Sequence, residues 1–256
     1  MTQIIALANQ KGGVGKTTTA INLGASLARQ GRRVLIVDFD PQANSSAGLG
    51  IRNQPLTTYD ALIEGTPLGE IVVETSVAGL SLAPATPDLA GAEVELVPMM
   101  AREYKLKHAL APARGEYDEV LIDCPPSLGL LTVNALAAAD EVIVPVQCEY
   151  LALEGLGQLM ATLELVRRNL NSSLRLRGLL LTMFDGRTNL SQQVADEVRA
   201  HFGETFRTVI PRSVRLSEAP SHGLPIAQYD PASRANLAYE ELAQEMIAGT
   251  RTEVPA

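Results

Sequence analysis

Lys11-Gly12-Gly13-Val14-Gly15-Lys16-Thr17-Thr18 holds the densest chemistry in the chain. A short apolar run, Ile4–Ala8, precedes it, and an Ala- and Leu-rich stretch with helical spacing, Thr19–Arg29, follows it. A glycine-rich turn between a strand and a helix suits nucleotide phosphates. Its backbone N–H groups converge on the anion, and the helix N-terminus adds partial positive charge. Gly12, Gly13, Val14, Gly15 and Thr18 are therefore expected to form the cradle. Lys16 is expected to reach the β- and γ-phosphates, and the Thr17 hydroxyl to ligate Mg²⁺.

The loop departs from the general pattern G-x-x-x-x-G-K-[ST], which wants glycine at position 10. Here Gln10 is followed by a second lysine, Lys11. The chain has only four lysines, and two of them stand in this loop. With Lys16 serving the bound phosphates, Lys11 is expected to point elsewhere, toward a nucleotide in a facing subunit. The bland alternative is a solvated lysine beside a turn.

Two acidic sites complete the pattern. Val34-Leu35-Ile36-Val37-Asp38-Phe39-Asp40 puts two carboxylates just past an apolar run. Phosphoryl transfer needs charge neutralisation by Mg²⁺ and a positioned water. Asp40 is the candidate for positioning that water, with a share in the Mg²⁺ shell. Asp38 is expected to support the loop from the strand end. Val120-Leu121-Ile122-Asp123 ends in the carboxylate of a Walker B pattern, which holds the metal. Pro125 and Pro126 then stop the strand.

The elements that must position these residues recur as strand-length apolar runs between helical stretches. They are Ile4–Ala8, Val34–Val37, Leu80–Ala83, Val120–Ile122, Val142–Val146, Leu179–Met183 and Thr208–Ile210. Several are apolar throughout, as parallel strands covered on both faces are. The expected fold is α/β: a doubly wound, mostly parallel sheet with helices on both faces, of the P-loop NTPase type. Ligands then belong at the carboxyl ends of the strands. Residues 1–256 are expected to form one P-loop ATPase domain, with about the last ten residues, after Met246, frayed.

Composition bounds the rest. A 46% hydrophobic share supports a sizeable core, and 20% charged residues disfavour disorder. A net charge of −8 argues against a generally basic coat, though a local basic face is compatible with it. Neither a signal peptide nor an apolar run near ~20 residues is visible, so a cytoplasmic, soluble protein is expected. Cys124 and Cys148 form no C-x-x-C and read as small buried hydrophobes. The rival reading makes Cys124 a ligand of an iron–sulfur cluster shared by two subunits.

With these motifs in place, the chain resembles the ParA family of DNA-partition ATPases, of the short Soj type. Lys11–Thr18, Asp38–Asn44, Leu121–Gly129 and Ile210–Gly223 carry the resemblance, which spans nearly the whole chain. It implies ATP as ligand with Mg²⁺, and a homodimer that sandwiches two nucleotides. It implies that Lys11 reaches the partner's ATP and that two backbones approach closely at Gly12. It also implies ATP-dependent binding to double-stranded DNA without sequence preference. A ParB-type centromere-binding protein would stimulate hydrolysis, usually through a short basic segment, and the protein would associate with the nucleoid. Adenine would fall on Pro211–Ser213. Ala43 and Ser213 depart from the family, which commonly has glycine and asparagine there.

DNA binding needs several cations tracking phosphates. Beyond Lys107 arginine must supply them. By resemblance Arg187 and Arg215 are the best candidates, with Arg212 next. Ordinary solvated arginines are the alternative, since Leu174–Arg251 carries equal numbers of arginines and acids. A MinD-type membrane ATPase is a rival reading. It calls for a basic amphipathic helix near the C-terminus, whereas Leu237–Met246 carries Glu240, Glu241 and Glu245. A related ATPase that positions another cargo is a second rival.

Overall fold

The computed structural model describes residues 2–149 and 154–249. Seven strands form one sheet: β1 Gln3–Leu7, β2 Val34–Asp38, β3 Val73–Glu74, β4 Leu80–Ala83, β5 Glu119–Asp123, β6 Glu141–Gln147 and β7 Arg175–Thr182. Their spatial order is β3-β4-β2-β5-β1-β6-β7, and all neighbours are parallel except β3 against β4. The α-helices are α1 Lys16–Arg29, α2 Asn44–Gly48, α3 Leu68–Ile71, α4 Leu89–Glu95, α5 Lys105–Ala109, α6 Leu130–Ala138, α7 Glu154–Asn169, α8 Asn189–His201, α9 Val214–Glu218, α10 Ile226–Tyr229 and α11 Arg234–Ala248.

The sheet is covered on both faces, so its strands are apolar on both sides. Along β1, Ile4 and Ala6 join the core made with α4, α5, α6, α7 and α8. Ile5 and Leu7 join the opposite core, made with α1 and α11. The period of two in side-chain direction feeds one strand into two cores. α1 and α11 lie against each other, and the Tyr239 hydroxyl pairs with Thr19 Oγ1 at 3.3 Å inside their contact.

Register places the chemistry. Leu7 of β1 and Asp38 of β2 both stand opposite Asp123 of β5. The three strands therefore end level, and the loop that leaves β1 starts beside both carboxylates.

Thr208–Ile210 is not a strand. Only isolated bridges, Leu179 with Thr205 and Phe184 with Pro211, attach this segment to the sheet. The reason is competition for its donors. The Arg207 and Thr208 N–H groups go to the Glu245 carboxylate of α11 at 2.8 and 3.0 Å, instead of to β7. On either side of them the sheet-like exchange survives: the Glu204 carbonyl accepts from Leu179 and Phe206 donates back to Leu179, while Ile210 donates to Leu181 and accepts from Phe184. β7 itself starts earlier than its apolar run, because Arg175 and Arg177 at its head pair with Glu141 of β6. It stops at Thr182, where Met183 turns to φ 52°. The antiparallel edge strand β3 is two residues long and takes only Val73 from the short apolar triplet Ile71-Val72-Val73, too little to announce a strand. Helix α11 runs through Ile247 to Ala248, past the point where fraying was expected, and residues 250–256 lie outside the described residues.

Candidate nucleotide site

The loop after β1 wraps the N-terminus of α1. Gly13 at φ 74° and Gly15 at φ 92° take left-handed conformations that cost an L side chain about 1–2 kcal/mol. Gly15 is the N-cap of α1 and offers no side-chain cap, so the first N–H groups of the helix stay available to an anion. Asn9 fixes the entrance of the loop. Its Nδ2 donates to the Pro145 carbonyl of β6 at 2.7 Å, and its Oδ1 accepts from Lys11 N–H at 2.9 Å. Thr182, ending β7, clamps the other side by donating to the Val14 carbonyl at 2.9 Å.

Lys16 is buried, and its ammonium donates to the Lys11 carbonyl at 3.4 Å. Burial lowers its pKa, and the charges of Asp123 and Asp40 oppose that shift. Lys11 itself is half-exposed at the loop's mouth, with Gly12 and Gly13 exposed beside it.

Asp38, Asp40 and Asp123 are all buried. Asp38 is fully engaged in structure. Its Oδ2 accepts from Ser46 N–H and Oγ at 2.8 and 2.7 Å, and Ser46 Oγ in turn accepts from Ala85 N–H. Asp40 Oδ1 accepts from Gln42 N–H at 2.9 Å. Asp123 Oδ2 accepts from Ser45 Oγ at 2.8 Å, while its Oδ1 is buried without a hydrogen-bond partner among the described residues. Burial raises the pKa of Asp38, and the charge of Asp123 raises it further. Burial also raises Asp123, against the pull of the Ser45 and Thr17 hydroxyls and of Lys16.

Three buried carboxylates against one buried ammonium leave excess negative charge. A buried acceptor without a donor costs about 1–3 kcal/mol. Both features fit a divalent cation at Asp123 with the Thr17 hydroxyl alongside. Among the described residues no group of three or more His, Cys, Asp or Glu could hold a metal by itself. A Mg²⁺ ion here would be shared with substrate phosphates, as its reluctance to dehydrate favours.

Beside the loop lies a cavity of about 280 Å³, lined in part by Gly15, Thr18, Met183, Pro211, Arg212 and Ser213. The structure thus brings the loop residues together with Pro211 and Ser213.

Comparison with known proteins decides the family. A family model described as an AAA domain matches residues 2–176. The sporulation initiation inhibitor protein Soj of Bacillus subtilis is 56% identical over 251 residues, covering 97% of this chain and 99% of its own. The chain belongs to the ParA/Soj family of chromosome-partitioning ATPases. Two solved structures extend the likeness. Cobyrinic acid a,c-diamide synthase from Mycobacterium smegmatis, with a bound ATP analogue and magnesium, has a TM-score of 0.86 at 41% identity, covering 96% of this chain and 95% of that one. The septum site-determining protein MinD from Pyrococcus horikoshii, complexed with Mg-ADP, has a TM-score of 0.80 at 28% identity, covering 99% and 100%. In this ParA/Soj family member the fold is thus the expected α/β arrangement.

The arginines expected to meet DNA are exposed and already paired. Arg187 holds Asp185 through two nitrogens, at 2.9 and 2.7 Å. Arg212 holds Glu149 at 2.7 Å. Arg215 holds Glu218 at 2.9 Å and Asp230 at 3.5 Å. Arg187 and Arg212 sit close enough to act jointly on Asp185, whose pKa is lowered to about 2, chiefly by its bond to Arg187. Cys124 is fully buried, its thiol turned to the Ile122 carbonyl and its pKa raised by burial. It presents no face to a cluster shared with a second subunit.

Sequence reasoning missed Asn9, Ser45 and Thr182. Each acts through a backbone group or through another side chain, and no motif marks it. Ser45 had one available signal: it stands five residues after Asp40, in the segment between the two acidic sites.

Proposed function

We propose that this protein is an ATPase switch for DNA partition, working as an ATP-sandwich homodimer in the cytoplasm on the nucleoid. The observation that carries this reading is the convergence of Lys16, Asp40 and Asp123 at the level ends of β1, β2 and β5. ATP phosphates would lie on the loop Lys11–Thr18, and adenine in the cavity beside Pro211 and Ser213. Residues 1–256 would act as one ATPase domain.

Bound Mg²⁺ would neutralise phosphate charge during transfer. Lys16 would bind the phosphates as a buried cation, strengthened by its low-dielectric surroundings. Asp40 keeps one oxygen on Gln42 N–H and would accept a hydrogen bond from the attacking water with the other. Lys11 would reach across to the partner's ATP, and the exposed Gly12 would permit close backbone approach. Adjoining patches of Arg187, Arg212 and Arg215 would be doubled by dimerisation, which makes binding to non-specific DNA depend on ATP. A ParB-type partner would stimulate hydrolysis and so release DNA.

A MinD-type membrane reading finds less support. No described helix is long and apolar enough to cross a membrane. The apolar face of α11 is spent on the core through Tyr239, Leu242 and Ala243. Glu245 is spent on the Arg207–Thr208 backbone.

The test is co-sedimentation with random-sequence DNA and, separately, with anionic vesicles, with ATP, ADP or no nucleotide. ATP-dependent DNA pelleting that weakens in Arg215→Ala is the expected result. Vesicle pelleting without DNA binding would refute the reading.

A further inference from the structure

Helix α4 and the turn after it carry a stripe that the ATPase site does not use. Leu89, Ala92 and Leu96 face the core and are fully buried. Val94, Val97 and Met100 face away and are 74%, 54% and 91% exposed. Val94 and Val97 stand one turn apart on the same side, because the helical turn continues through Val97 N–H to the Val94 carbonyl at 3.2 Å, and Met100 follows in the turn beyond. Three large apolar side chains in one row are unusual on a free surface.

Acids border the row. Between Pro87 and Tyr104 the charged residues are Asp88, Glu93, Glu95, Arg102 and Glu103, and the one cation, Arg102, donates to the Val97 carbonyl at 2.8 Å and is held by Glu103 at 2.9 Å. Tyr59 donates its hydroxyl to Glu95 at 2.9 Å. Asp60 and Glu64 bring further negative charge to the same phenol.

The inner side of α4 touches the end of the loop that follows Asp123. Glu93 Oε1 is shielded from solvent and has no hydrogen-bond partner among the described residues. It lies against Gly129, where any side chain would overlap the carboxylate. Gly129 caps α6 and ends the short loop that begins at Asp123. One turn of helix thus separates an exposed apolar row from the loop behind the candidate metal ligand.

The geometry points to this row as the docking surface for a basic, amphipathic segment of the protein that stimulates hydrolysis. It rests on the partner-stimulated ATPase reading above. Apolar side chains of the segment cover Val94, Val97 and Met100, and its cations meet Glu95, Glu64 and Asp60. A second copy of this row is a poor occupant, since it would set acids against acids. An anionic membrane is repelled for the same reason. Pressure on α4 reaches Gly129 through Glu93, which gives the segment a route to the site without entering it.

The test uses the full chain with Mg-ATP and a purified ParB-type protein from the same source. The variants are Val94→Ser/Val97→Ser/Met100→Ser and, separately, Glu64→Lys/Glu95→Lys. A photo-crosslinking residue placed at position 97 reports what touches the row. The expected result is at least a tenfold loss of stimulation in both variants, with basal turnover and ATP-dependent DNA pelleting retained. The crosslink is expected on a segment of the partner rich in lysine or arginine. Undiminished stimulation in both variants overturns the surface, as does a crosslink to a second copy with loss of the ATP-dependent dimer. If the wild-type chain is not stimulated at all, the switch reading falls first and the surface with it.

Discussion

Ala43 offers a direct test of strain in the segment after Asp40. It caps α2 at φ 52° and ψ 35°, in the left-handed region. Its N–H closes a turn onto the Asp40 carbonyl at 2.8 Å, so the candidate water-positioning residue and the strained residue share one turn. For an L residue this conformation costs roughly 1–2 kcal/mol. Ala43→Gly removes that cost but adds freedom to the unfolded chain, worth about 0.4–1 kcal/mol. It also deletes a methyl packed against the core, half of about 0.8 kcal/mol for a group only partly covered. The balance is a gain of about 0.5 kcal/mol, or about 1–2 °C in Tm for a chain of this size. Ala43→Val should go the other way, since a β-branched residue is a poor fit to positive φ. Thermal unfolding followed by circular dichroism, without nucleotide, should rank Gly above Ala above Val. A valine variant as stable as the parent would show that position 43 is not left-handed in solution and would refute the reasoning.

Gly12→Val should fold normally, because a Cβ there meets only Pro126 Cβ at 3.9 Å. It should nevertheless lose ATP-dependent self-association in sedimentation velocity; an intact dimer would show that Gly12 is not at a close approach. Asp123→Asn keeps the volume and the Ser45 contact but removes the charge. It should lower ATP turnover at least tenfold, about 1.4 kcal/mol or more at the transition state, and turnover at the parental rate would remove Asp123 from the metal site. Cys124 and Cys148 are buried, and burial pushes the Cys148 thiol up to about 11. Neither should react with a thiol reagent at pH 8 until the chain is unfolded, and fast native labelling would contradict the buried placement.

The parts of the molecule legible in the sequence are those where one residue type answers one physical demand. Six of the seven apolar runs are strands, because strands buried on both faces cannot be polar. The glycines of the loop are legible because positive φ at Gly13 and Gly15 strongly favours glycine. Thr208–Ile210 was misread because the apolar signal does not say where backbone donors go. Glu245, nearly forty positions away, takes two of them. Asn9 and Ser45 were invisible for a related reason: Asn9 acts on the carbonyl of Pro145, and Ser45 on a carboxylate three strands later. The sequence alone also sees four positive charges at Arg187, Arg207, Arg212 and Arg215. It does not see that Asp185, Glu245, Glu149 and Glu218 already hold them.

Those pairs change what the proposed DNA binding must involve. Exposed ion pairs contribute little to stability, so phosphate can replace carboxylate at modest cost, but each arginine must exchange one partner for another. A single chain offers Arg187, Arg212 and Arg215, and a dimer offers both sets, six cations in all. If all six meet phosphates, log K should fall with log salt at a slope of about −5. Removing one arginine per chain, as in Arg215→Ala, removes two contacts and should flatten the slope by about 2. Glu218 would compete with phosphate for Arg215 directly, since it holds that guanidinium at 2.9 Å. Glu218→Gln should therefore raise DNA affinity more than the same change of charge at Glu116, which lies at the opposite end of the sheet beside Tyr117. Fluorescence anisotropy with a random-sequence duplex and Mg-ATP, over a salt series, measures both quantities. An equal gain from the two glutamines would mean that only net charge matters and that Arg215 has no special place at the phosphate backbone.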